Sequence, residues 1–132
     1  MENIWFLLRD DSTCEHLPLK SIRYLKADRN YTFVHYVDDK GEKKSSLQSG
    51  NIGKFKHILK HGFVELHRSI IVNRSKVIRH GAGRTVTIDS GETFRIPKEK
   101  WKKVKELLSR QLIIPFTKKG DSLNETDAPS TQ

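Results

Sequence analysis

Residues 31–37 read Tyr31-Thr32-Phe33-Val34-His35-Tyr36-Val37. Six of the seven are β-branched or aromatic, the residue types that suit a pleated, half-buried surface. Turn chemistry closes both ends. Asp28-Arg29-Asn30 precedes the stretch, and Asp38-Asp39-Lys40-Gly41 follows it with a glycine available for positive φ. Upstream, residues 22–27 place Ile22, Tyr24 and Leu25 among the polar Arg23 and Lys26. Downstream, Lys43 to Leu47 supplies a returning strand. Three short antiparallel strands in series predict a β-rich fold.

The same punctuation continues outward. Residues 3–8 are a short apolar run read as a strand, followed by a polar stretch from Arg9 to His16. Residues 51–60 are predicted as a helix, with Ile52, Phe55, Ile58 and Leu59 on one face, Ser49 as its N-cap and Gly62 closing it. Short strands are predicted at Phe63–Leu66, Ile70–Val72, Val77–Arg79, Thr85–Ile88 and Thr93–Ile96. Their turns include His80-Gly81-Ala82-Gly83 and Asp89-Ser90-Gly91. A last helix is predicted over about 97–110, with Pro97 in its first position and a stripe of Trp101, Val104, Leu107 and Leu108. Residues 117–132 have no periodicity and are expected to form a disordered tail, leaving one domain over 1–116.

Charge points to a partner. The chain of 132 residues carries 25 Lys+Arg against 16 Asp+Glu. Residues 21–117 hold 21 basic and 9 acidic residues, a net of +12. A folded unit this basic suits a polyanion, nucleic acid above all. No apolar run approaches the roughly 20 residues of a membrane helix, and no signal-like segment opens the chain. A membrane partner is not expected, and a cytoplasmic location is. Cys14 is the only cysteine, which excludes an intrachain disulfide. No helix pair is available for a helix-turn-helix, so contacts to nucleic acid must come from loops, strand ends or single helix faces.

Three segments carry a family resemblance: Ile22 to Tyr31, Phe63 to Arg74 with its phrase His67-Arg68-Ser69-x-x-Val72-Asn73, and Thr93 to Lys98 before a helix. Together they resemble the LytTR family, the DNA-binding output domains of LytR/AgrA-type response regulators. The resemblance spans roughly residues 3–110. It implies a mainly β fold of small antiparallel sheets with two short amphipathic helices. It also implies loop insertion into successive major grooves of double-stranded DNA, with dimers on paired or repeated sites. Carried over by position, the DNA-facing residues are the loop Asp28 to Tyr31, then Arg68, then Lys98. Where the family more often has Ser-Arg, this chain has Pro97-Lys98. A point charge thus replaces a bidentate guanidinium, which favours a phosphate contact there.

The residue chemistry agrees with that reading. Arg68 can bond guanine O6 and N7 in parallel, hold a phosphate, or pair with a nearby carboxylate such as Glu65. Arg29 and Asn30 sit at a turn narrow enough for the major groove. Asn30 can read adenine or serve the turn as a left-handed residue, and Tyr31 can contact DNA or pack in the core. Lys98, Lys100, Lys102 and Lys103 open the last helix and suit phosphate. His67, Ser69 and Asn73 are expected to hold the loops through backbone bonds.

Other function classes fit the sequence less well. An RNA-binding β module needs two or three stacking aromatics on one sheet face, and Tyr31 and Phe33 alternate away from Tyr36. A protein-interaction module would form mixed dimers with a related regulator, and a partner protein would then supply the regulatory signal. His57 and His61 stand four apart on a helix, but no third ligand lies at a supporting spacing, so neither metal nor cofactor is expected. No nucleophile–base constellation suggests an enzyme. The chain has no room for a receiver domain, so no phosphorylation switch is expected within it.

Overall fold

The computed structural model describes residues 5–110. Its strands are β1 (Trp5–Arg9), β2 (Cys14–Pro18), β3 (Ile22–Asp28), β4 (Tyr31–Val37), β5 (Lys43–Ser49), β6 (Phe63–His67), β7 (Ile70–Asn73), β8 (Val77–Gly81), β9 (Thr85–Ile88) and β10 (Thr93–Arg95). A 3-10 helix covers Ile52–His61, shorter 3-10 turns cover Leu19–Ser21 and Arg74–Lys76, and helix α1 covers Lys98–Ser109. The fold is mainly β, with small antiparallel sheets, as expected from the sequence.

A five-stranded sheet in the order β5-β4-β3-β7-β6 is the centre of the molecule. The residue alternation of β3 and β7 explains why. Leu25 pairs with Ile71 and points to one face, while Tyr24 pairs with Val72 and points to the other. Both faces therefore need cover. The hairpin β1–β2 and the 3-10 helix 52–61 cover the first, burying Phe6, Leu8, Leu17, Ile52 and Ile58 against Leu25, Val34 and Ile71. The three-stranded sheet β10-β9-β8 and α1 cover the second, burying Val86, Ile88, Ile96, Val104 and Leu108 against Tyr24, Leu66, Ile70 and Val72.

Several local expectations are corrected. The helix over 51–60 is a 3-10 helix at Ile52–His61, and Ser49 is the last residue of β5 rather than its N-cap. Asn51 holds that position without a side-chain cap bond. Gly62 does end the helix, at φ 85°, where a side chain would be strained. Pro97 precedes α1, whose first residue is Lys98. The polar stretch Arg9 to His16 contains the first three residues of β2, which pairs along its whole length with β1. Arg23, expected on a polar face, is only 4% exposed. It is the extra residue of a β-bulge, because Ile22 and Tyr24 oppose the adjacent Tyr36 and His35. Residues 3, 4 and 117–132, for which a strand start and a tail were expected, lie outside the described residues.

Candidate nucleic-acid interface

The sheet brings two hairpin tips to one edge. β3 and β4 pair up to Asp28 opposite Tyr31, so only Arg29 and Asn30 form the first tip. β6 and β7 pair up to His67 opposite Ile70, so Arg68 and Ser69 form the second. Lys26 pairs with Ile70, and the Ala27 amide donates to the Ser69 carbonyl at 2.9 Å. That bond carries the β3–β7 ladder to the base of both tips and holds them level.

Each tip has its own geometry. The left-handed residue of the first is Arg29, at φ 60°, and not Asn30. A side chain in that region costs of the order of 1–2 kcal/mol. Arg29→Gly is therefore expected to raise thermal stability by about 1 kcal/mol while weakening binding to duplex DNA. Melting and gel retardation on one preparation would check both. Arg29, Asn30 and Tyr31 are all exposed, Tyr31 at 48%. On the same face, Phe33 and His35 are half-buried. His35 stacks on Tyr24 at 4.3 Å, and Tyr24 meets Phe94 edge-on at 5.0 Å. Those rings are committed to one another, and Tyr31 is the open one of the group.

At the second tip the Ser69 amide donates to His67 Nδ1 at 3.2 Å. Burial lowers the His67 pKa below its ordinary 6.5, and the positive charges of Lys100 and Arg68 push the same way against Glu65. A neutral imidazole can accept that bond; an imidazolium cannot. His67 is thus expected to stay neutral at pH 7 and to titrate below 6.5 when its ring resonances are followed by NMR. Since the unfolded state takes up the proton first, His67 favours folding above 6.5, and that contribution is lost as pH falls. Arg68 between them is exposed.

The far end of β7 aims α1. Arg74 donates through Nη2 to the Leu108 carbonyl at 2.6 Å, holding the C-terminal turn of the helix at the end of the sheet opposite the tips. The helix therefore starts on the tip side, where Lys100 is close enough to act on His67. Sequence reasoning missed Arg74, although it directly follows the quoted family phrase. Val104 and Leu108 face the core. At helical spacing this puts Lys98 and Lys102 on one flank and Lys100 and Lys103 on the other, so the four lysines do not form one patch. Lys98 and Lys100 are the two nearest the tips. Arg29, Arg68, Lys98 and Lys100 take part in no ion pair among the described residues.

Asn73 ties the base of the second hairpin to the sheet. Its side chain donates to the Ile22 carbonyl at 2.8 Å and accepts from the Ser75 amide at 3.0 Å. His57 and His61 lie on the 3-10 helix, where residues three apart eclipse and residues four apart do not. Among the described residues no cluster of three metal-ligating side chains occurs, and no helix is long and apolar enough to cross a membrane.

The family model for the LytTr DNA-binding domain matches residues 12–109. The chain belongs to this family. The match begins after β1, whose Phe6 and Leu8 enter the core of the domain. The LytTR fold is also found in the solved structure of a LytTr DNA-binding domain from Bacillus cereus. The two are 20% identical, with a TM-score of 0.62, over 83% of this chain and 98% of that one. No curated protein matches the chain.

Proposed function

We propose that this LytTR domain is a sequence-specific regulator that reads duplex DNA with one edge of its sheet. The Arg29-Asn30 tip enters a major groove. Its two strands, about 5 Å apart, fit a groove about 12 Å wide. The second tip lies two strand spacings away, about 10 Å, so Arg68 reaches the bases or phosphates at that groove's flank. The start of α1, which packs on the second face of the sheet against β6, carries Lys98 and Lys100 toward the neighbouring groove, with Lys102 and Lys103 farther along the helix. The observation that carries this reading is the Ala27–Ser69 bond, because it makes two separate loops one rigid edge.

His67 and Ser69 act as supports of that edge, whereas Asn73, expected to hold the loop, secures the opposite end of the second hairpin through Ile22 and Ser75. Binding to paired sites would bring two copies together. Selection of bound duplexes from a random pool tests the reading and yields the site. Recovery of a common motif, with weak competition from single-stranded RNA, is the expected result. Enrichment of no motif, or preferential capture of the RNA, defeats it.

A further inference from the structure

The DNA edge as described ends at Tyr31, but the sheet continues to β5. Tyr31 pairs with Ser49, so the next residue on β5's side, Gly50, stands across from Asn30 at the first tip. The Thr32 hydroxyl donates to the Gly50 carbonyl at 3.0 Å and fixes that position. Gly50 has φ +105°, and the space its missing side chain leaves is occupied. A Cβ there would lie 2.5 Å from Lys54 Cδ and 3.4 Å from Lys54 Nζ. The lysine stem thus lies over the glycine backbone, which puts its ammonium on the β5 side of the tip.

Lys54 is exposed and takes part in no ion pair among the described residues. Its neighbour Lys56 differs, reaching Glu65 at 3.3 Å. A lone ammonium seated at the rim of a groove-entering tip meets what a polyanion offers there, a backbone phosphate.

We infer that Lys54, positioned by Gly50, is a phosphate-binding residue that extends the DNA footprint to the β5 side of the Arg29-Asn30 tip. The inference rests on the reading of the edge as the DNA contact. It makes β5 and the start of the 3-10 helix part of the interface, giving the inserted tip one phosphate anchor on each side: Arg68 or the lysines of α1 on one, Lys54 on the other.

The test uses the full chain and the duplex recovered from the random pool, with affinity measured across a salt series. One phosphate contact is worth about 0.9 in the slope of log K against log salt. Lys54→Ala is expected to flatten the slope by about 0.9 and to cost roughly eightfold in affinity at 0.1 M salt relative to 1 M. Lys56→Ala should leave the slope as it was. Gly50→Ala, confirmed folded by its melting transition, should reproduce part of the Lys54→Ala loss, because the new methyl displaces the lysine stem. A full slope in Lys54→Ala overturns the inference, provided Arg68→Ala still impairs binding. A full slope in folded Gly50→Ala overturns the positioning role of the glycine. If Arg68→Ala and Lys54→Ala both bind as the unchanged chain does, the edge itself is not the interface, and the inference falls with that reading.

Discussion

Arg68→Ala is expected to abolish discrimination at one position of the DNA site while leaving non-specific binding nearly intact. A guanidinium bonding guanine O6 and N7 together contributes about 1–3 kcal/mol of base selection, a loss of roughly 5- to 150-fold. The side chain is exposed at the second tip, and its charge takes part in no ion pair among the described residues. Its removal should disturb little inside the protein. The flanking groups hold the loop without it: the Ser69 amide on His67 and the Ser69 carbonyl on Ala27. Melting temperature should therefore stay within the range of an ordinary surface change. The measurement is a ratio, affinity for the selected duplex over affinity for an unrelated one at the same salt. If both affinities fall equally, Arg68 contacts a phosphate and carries no base information. Arg68→Lys separates the cases further, since a lysine keeps the charge and loses the fork.

Much of this edge was legible in the sequence because hairpin tips are local. The two residues between Asp28 and Tyr31, or between His67 and Ile70, are bounded by strands whose composition declares itself within a few positions. What composition does not carry is which tips meet. That depends on the strand order β5-β4-β3-β7-β6, in which β3 and β7 are neighbours though some 40 residues apart in the chain. The lysines of α1 illustrate the converse. Spacing alone put them on one helix opening, but the buried stripe of Val104 and Leu108 divides them between two flanks.

The misread elements share a physical reason. β2 has one buried residue, Leu17, in five. It is held by its pairing to β1, and that is invisible in a polar run. The stretch 52–61 has helical apolar spacing, yet it forms a 3-10 helix that buries only Ile52 and Ile58. Propensity and period cannot separate the two helix types over ten residues. Arg23 was misread because a bulge broke the alternation that would have placed it outside. Its partner lies 69 positions away.

That partner carries the largest expected effect on stability. Glu92→Gln should destabilise the fold by about 3 kcal/mol, the lower end of the range for removing one member of a buried ion pair. Arg23 is 4% exposed, and its Nη1 donates to Glu92 at 2.5 Å and to the Ser90 hydroxyl at 3.0 Å. Without the carboxylate, a buried guanidinium keeps its desolvation cost and loses its countercharge. Glu92 itself is 28% exposed, so water can reach the vacated side, which is why the lower figure applies. Burial acts to raise the Glu92 pKa, but hydrogen bonds from Ser90 and Arg23 outweigh it and hold the group at about 2, against an ordinary 4.5. Since the folded state releases the proton more readily, the pair's contribution is complete above pH 4.5 and is lost as pH falls toward 2. Denaturant melts of the unchanged chain should therefore weaken through this window, and those of Glu92→Gln should do so less. Equal acid sensitivity in the two would show that the pair does not carry that dependence. Replacing both partners with apolar residues of similar size should recover much of the loss, because no buried charge is then left alone. The effect belongs to the fold and not to the DNA edge. The pair joins the β3 bulge to the β9–β10 turn, six residues before α1 begins at Lys98. At temperatures where Glu92→Gln remains folded, its affinity for duplex DNA should match that of the unchanged chain.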